Sequence, residues 1–259
     1  MNEEKQLEEA IKKANRKKVL EACLLAGTIM MESSAEMYRI EDTMIRIGKK
    51  AGYDILCYTT QTGMFVAIDG TEKLRMAQIS KRYLNLDKVT KVNQLSREYV
   101  AGLIDEDELI RMLKQTKQER IFFPLWLETV SAASISAGMM VLFGGTMKDF
   151  PAAFILGAVG YIVYLMAAKL LQLRFLAEFS AAFILGVLAI FYARIWGTGE
   201  VNVMIFGLVM PFVPGVAITN SIRDLLAGHL LSGVSRGIEA LMTACAIGFG
   251  IVFAFQLLG

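Results

Sequence analysis

The sequence predicts an integral membrane α-helical bundle of about five spans behind an N-terminal cytoplasmic α+β domain, and three observations carry that expectation. First, charge is divided unevenly. Residues 1–126 hold 21 of the 27 Lys and Arg and 19 of the 25 Asp and Glu, so the last 133 residues carry only 12 charges. Second, the apolar runs after Phe122 are as long as a bilayer requires, about 20 residues per helical span. Third, the first half alternates between helical and strand-like apolar spacing. A boundary near residue 125 divides the domains 1–125 and 126–259.

The first half reads as helix, hairpin and helix. Apolar positions Leu7, Ile11, Val19, Leu20, Leu24 and Leu25 recur at roughly helical spacing through 6–31. Ser33, Ser34 and Ala35 interrupt the run, and a second helix is predicted over 38–51, with Gly52 as its stop. Strand-like runs at 54–60 and 64–69 flank a short Gln61-Thr62-Gly63 turn, and a third lies at 73–80. Two further helices are predicted, over 86–102 and from Asp105, where Glu108 completes a capping-box spacing.

The second half predicts spans at about 127–147, 150–168, 176–195, 201–219 and 236–258. Lys169 and Arg174 in one loop, with Arg223 and Arg236 in another, combine with the basic first half to place the N-terminus in the cytoplasm and the C-terminus outside. Small residues four apart (Ser134 and Gly138, Ala153 and Gly157, Ala244 and Gly248) are candidate points of close helix approach.

Composition excludes several functions. The net charge of +2 gives no reason to expect nucleic-acid binding. The basic cluster Lys12, Lys13, Arg16, Lys17 and Lys18 is interleaved with Glu8, Glu9 and Glu21, so it reads as a solvated helix face, with anionic lipid as the alternative. Cys23, Cys57 and Cys245 have no metal-ligand spacing. No cofactor, metal or nucleotide fingerprint is present, and no catalytic motif. With no P-loop, a secondary transporter or a channel is the physical default. The alternatives are a membrane-tethered hydrolase or a regulatory protein acting through the first domain.

The most informative stretch is Met210 to Asp224. Pro211 and Pro214 each remove a backbone donor inside an apolar span, so a broken helix is predicted at Pro211 to Gly215. A half-helix N-terminus near Gly215 would favour an anionic group, and Thr219, Asn220 and Ser221 add neutral hydrogen-bonding groups. A kinked structural helix remains the alternative. Arg223 is a candidate for a substrate carboxylate and Asp224 for a coupling proton; a structural pair is the other reading. Glu239, one turn from Arg236, enters the last span. His229 reads as a solvated loop histidine, with a proton relay as the alternative.

The run from Pro211 through Ser221-Ile222-Arg223-Asp224-Leu225-Leu226-Ala227-Gly228, continuing to Gly233, Arg236 and Glu239, resembles the membrane signature of the threonine/serine exporter (ThrE) family. Tyr38-Arg39-Ile40-Glu41-Asp42-Thr43 resembles that family's cytoplasmic motif. In one departure, Gly228 precedes His229 where an acid is expected. Full-length exporters carry a second set of spans, so the chain is more similar to the larger subunit of the split form. The resemblance implies export of threonine or serine, or of a dicarboxylate such as succinate. It also implies a small all-membrane partner subunit (YjjB-like) of about five spans and a possible homo-oligomer. The candidate residues are therefore Pro211, Pro214, Gly215, Thr219, Asn220 and Arg223 for substrate and Asp224 and Glu239 for proton coupling, on the chemistry of the broken helix, and Arg39, Glu41 and Asp42 as the cytoplasmic motif, on the resemblance. The spacings of Arg39 with Asp42 and of Glu36 with Arg39 read as ordinary intrahelical pairs with a structural or inter-domain role, a gating or catalytic role being the alternative.

Overall fold

Ten α-helices and one three-stranded sheet make up the described part of the chain, residues 2–71, 73–119, 123–173, 175–196 and 200–258 of a computed structural model. The chain divides into two compact units. One comprises Met1–Arg120 with Thr219–Gly237, the other Ile121–Ile218 with Ile238–Gly259. The short stretch Thr219–Gly237 therefore clusters with the N-terminal half of the sequence, although hydropathy alone groups it with the spans around it.

In the first unit, α1 (Asn2–Glu32) changes character along its length. Residues 6–17 are exposed, and from Val19 the side chains Val19, Ala22, Cys23, Ala26, Ile29 and Met30 are buried at helical spacing. This stripe packs against α2 (Met37–Lys50), whose Met37, Ile40, Met44 and Ile47 repeat at three and four residues and are also buried. Burial of such stripes away from water is the main force holding the helices together.

The strands β1 (Ile55–Thr60), β2 (Gly63–Ile68) and β3 (Leu74–Gln78) form an antiparallel meander in that order. Thr60 pairs with Gly63, so Gln61 and Thr62 alone make the first turn. Met64, Val66 and Ile68 point into the core, and the opposite face leaves Leu56, Tyr58, Leu74 and Met76 exposed. Next come α3 (Leu86–Ala101) and α4 (Glu106–Gln118). The Asn85 side chain accepts the Lys88 N–H, and the Asp105 side chain accepts the Glu108 N–H, as the capping-box spacing predicts.

The second unit contains α5 (Leu125–Leu142), α6 (Phe150–Leu171), α7 (Leu176–Trp196), α8 (Val201–Val209) and most of α10 (Leu230–Leu258). Its core is rich in alanine, with Ala133, Ala137, Ala153, Ala181, Ala182 and Ala189 fully buried. Small side chains let helix backbones approach closely, which is how apolar helices gain contact in lipid. A Cβ at Gly207 would lie 2.6 Å from the Met140 backbone, so α8 rests directly on α5 there. At Gly157 it would lie 2.6 Å from Ser136 Cβ, which makes the Ala153–Gly157 pair a packing point. Gly138 and Gly248 face open space, so the other two small-residue pairs do not bring helices of this chain together.

Among the described residues, four helices (α5, α6, α7 and α10) are long and apolar enough to cross a membrane. The fourth expected span is not one rod. It consists of α8, a 3-10 turn over Met210–Phe212, and α9 (Gly215–Leu226), with a bend of 63° between Val201–Phe212 and Gly215–Leu226. If that bent pair counts as one span, the total is five. The break falls where Pro211 and Pro214 cannot donate to the helix ladder. The last helix begins at Leu230, not at 236, and α5 ends at Leu142, short of the expected 147.

Candidate functional site

Two motifs far apart in the sequence meet in the first unit. Asp224 of α9 is fully buried, and its Oδ1 accepts the Met37 backbone N–H at 2.9 Å. Met37 is the first residue of α2, a position whose N–H has no partner inside its own helix. Glu36, the residue before it, makes no side-chain cap. Asp224 therefore performs the capping from 187 residues away, with its charge at the positive end of the helix.

Glu36 is turned to two arginines instead. Its Oε1 accepts from Arg223 Nη1 at 2.7 Å and its Oε2 from Arg39 Nη1 at 3.0 Å. Burial opposes the charge on Glu36. The hydrogen bond to its own backbone N–H, together with Arg223 and Arg39, outweighs burial and holds the carboxyl below its usual range. Arg223 remains 61% exposed at its side chain while Glu36 is 7% exposed, so the pair has one wet and one dry end.

Further contacts complete the cluster. Arg236 is buried; its Nη2 donates to the Ala35 carbonyl at 3.2 Å and its Nε lies 3.8 Å from Asp224 Oδ2. Asn220 Nδ2 donates to the Ser34 carbonyl at 3.1 Å. Ser221 Oγ donates to the Gly233 carbonyl at 2.7 Å, joining α9 to the start of α10. Gln61, from the hairpin turn, donates through Nε2 to the Ser232 carbonyl at 3.2 Å.

The cytoplasmic-motif residues separate by face. Glu41 Oε1 accepts from Thr59 Oγ1 at 2.6 Å, and its Oε2 lies 3.8 Å from His229 Nε2. His229 is only 20% exposed at its side chain, which corrects its reading as a solvated loop histidine. Asp42 pairs with Arg46, one turn on, rather than with Arg39. The spacing of Glu36 and Arg39 marks their pair in the sequence, but the link from Glu36 to Arg223 and that from Gln61 to Ser232 carry no local signal. Their partners lie at |i−j| of 187 and 171.

In the second unit, Pro211 and Pro214 are half-buried and Gly215 is exposed, with open space where its Cβ would be. Val213 N–H donates to the Met210 carbonyl at 3.2 Å and Ile218 N–H to the Pro214 carbonyl at 3.0 Å, so the chain turns and restarts as a helix within four residues. Thr219, next on α9, is exposed. Glu239 is half-buried on α10, and its carbonyl accepts from Thr243 Oγ1 at 3.1 Å. The same unit holds a polar end that hydropathy did not mark. Asp149, buried, accepts from Tyr192 at 3.0 Å and from Thr146 at 2.7 Å, beside a cavity of about 280 Å³. Among the described residues there is no group of His, Cys, Asp and Glu that could hold a metal ion.

Long apolar helices, one of them broken, together with this charged cluster define a multi-pass membrane protein. The family model described as "Putative threonine/serine exporter" matches residues 21–258, so the chain belongs to that family of membrane transporters. It is 23% identical over 255 residues to the "Probable succinate transporter subunit YjjP" of Klebsiella aerogenes, covering 95% of this chain and 96% of that one. It is 23% identical over 248 residues to the protein of the same name from Escherichia coli, covering 93% and 95%. It is 21% identical over 254 residues to the "Probable threonine/serine exporter" of Mycobacterium tuberculosis, covering 93% of this chain but 46% of that protein. No solved structure matches.

Proposed function

We propose that this chain is a subunit of a secondary transporter that exports a small carboxylate solute across the cell membrane, with its N-terminus in the cytoplasm and a small all-membrane protein as partner. The observation that supports this most is the apolar helix broken at Pro211 to Gly215 and resumed as α9, whose next turns carry Thr219, Asn220, Arg223 and Asp224. A broken helix puts backbone polar groups and a positive helix end where an unbroken one has none. The exposed part of the Arg223 fork suits a carboxylate, and a solute there would compete with Glu36 for the guanidinium. Asp224, and Glu239 further along, are the proton-coupling candidates. Of the motif residues, Glu41 ties α2 to Thr59 and His229 and Arg39 holds Glu36 beside the Asp224 contact, while Asp42 pairs within α2. The names of the relatives support threonine, serine or succinate as the solute and a second subunit as partner.

The test is export from cells loaded with labelled succinate, threonine or serine, expressing this chain and the partner gene separately and together. Gradient-dependent efflux of one of them, seen only with both proteins, is the expected result. Equal efflux from cells lacking this chain would reject the reading.

A further inference from the structure

The cations that the sequence assigns to a solvated face of α1 meet a second set from the sheet. Lys12, Lys13, Arg16 and Lys17 of α1, with Lys73 beside β3 and Arg75 within it, line one cavity of about 830 Å³ in the first unit. Among the described residues one carboxylate, Glu9, shares the lining, and Leu20 and Ile68 in it are both buried. Six cations against one acid cannot neutralise each other. Among the described residues none of the six makes an ion pair.

The other face of α1 shows what ordinary surface pairing looks like in this protein. Lys18 meets Asp107 at 2.7 Å and Lys114 meets Glu21 at 2.6 Å, joining α1 to α4. On this side Lys18 and Glu21 each have a partner on α4, whereas the six cations of the hairpin side share their cavity lining with Glu9. Held together across two elements, like charges repel and raise the local potential, a cost that a bound anion removes. The turn at Asp69 and Gly70 fixes the rim. Gly70 has φ +69, and its N–H is taken by Asp69 Oδ1 at 2.8 Å, so the turn itself is closed to the ligand.

We propose that this cavity binds phosphate-bearing anions whose charges it meets several at a time, in one polyphosphate or in neighbouring lipid headgroups. The volume is in the range of small-molecule sites, about 300–1,000 Å³. Four lysines and two arginines supply point charges and forked donors of the kind that hold several phosphate oxygens at once. A single carboxylate solute would satisfy only a fraction of them, which separates this site from the one on α9. Phosphate of this kind comes from two sources, a soluble polyphosphate or nucleotide and an anionic lipid headgroup.

Two probes distinguish the sources. The purified full-length chain in neutral detergent is titrated with tripolyphosphate and, separately, mixed with vesicles of pure phosphatidylcholine or with added phosphatidylglycerol. Binding is read by calorimetry and by the shift in melting temperature. Saturable binding of tripolyphosphate that weakens with added salt supports the proposal with a soluble source. A response to phosphatidylglycerol alone supports it with a lipid source. The triple variant Lys13→Gln, Arg16→Gln, Arg75→Gln removes only exposed charges and should lower the affinity by at least about tenfold. The control Lys18→Gln, Lys114→Gln on the α4 side should leave it unchanged. No binding of either probe, or equal loss in both variants, would overturn the assignment.

Discussion

The Oδ1 of Asp224 lies 2.9 Å from the backbone nitrogen of Met37 and caps the helix that Met37 begins. The local N-cap residue, Glu36, leaves that N–H unserved, so the fold of α2 depends on a side chain from α9. Asp224→Ala would orphan a buried donor and remove the charge facing Arg236, at a cost of about 3 kcal/mol. Asp224→Asn keeps an acceptor oxygen. The expected outcome is a lower melting temperature in detergent for Asp224→Ala and a smaller drop for Asp224→Asn, which keeps the cap acceptor but loses the charge facing Arg236. If Asp224 carries the coupling proton, Asp224→Asn nevertheless loses gradient-driven export while solute exchange persists.

Arg223 and Glu36 should be measurably coupled, but weakly. Their 2.7 Å contact joins a buried carboxylate to a guanidinium that is 61% exposed, so solvent screens the pair. A double-mutant cycle with Arg223→Ala and Glu36→Gln should give about 0.5–1 kcal/mol in thermal stability. Arg223→Lys should retain part of that energy and still lose most export, because lysine cannot offer a fork to a carboxylate. Export at wild-type level by Arg223→Ala would remove the residue from the transport mechanism.

Glu36 also sets an acid limit. Its folded carboxyl titrates below its unfolded value, so the native state binds fewer protons than the unfolded state between the two. The stabilisation is fully present above the unfolded value of about 4.3 and is lost as the pH falls through the folded one. Melting temperatures followed from pH 6 down to pH 3 should therefore drop more steeply for the wild type than for Glu36→Gln.

The elements of the first unit were legible because their signals are local. The α2 stripe, the two-residue hairpin turn and the Asp105 cap each depend on residues within a few positions, and each lies within about two residues of its expected place. The break at Pro211 to Gly215 was legible because a missing donor acts where it stands. The partner of Asp224 was not legible, because a buried carboxylate can meet any unsatisfied N–H, and only the tertiary path of the chain selects Met37. Small-residue spacing fared worst. Of three pairs, only Ala153 and Gly157 met a neighbouring helix, since Gly and Ala are frequent throughout apolar spans.

Gly207, which no spacing pattern marked, should be less tolerant than Gly138. A Cβ at Gly207 meets the Met140 backbone at 2.6 Å, and backbone cannot swing aside as a flexible side chain does. Gly207→Ala should cost about 2 kcal/mol by forcing α8 from α5. Gly138→Ala, in open space and within a helix, should be neutral or stabilising, which melting in detergent would show.

The two prolines offer the most direct separation of fold from function. Pro211→Ala with Pro214→Ala returns two N–H donors to the ladder and lets α8 continue toward α9 as a straighter helix. Each replacement removes a residue that opposes a continuous helix by about 3 kcal/mol, so the variant should still be inserted, and its melting temperature reports how far the Asp224 cap on α2 survives the straightening. Export should nevertheless fail, because a continuous helix withdraws the polar backbone groups that the break provides. Measured at matched membrane levels with the partner present, full export by the double variant would show that the bend is a packing feature. The site would then have to lie with Arg223 and Asp224 alone.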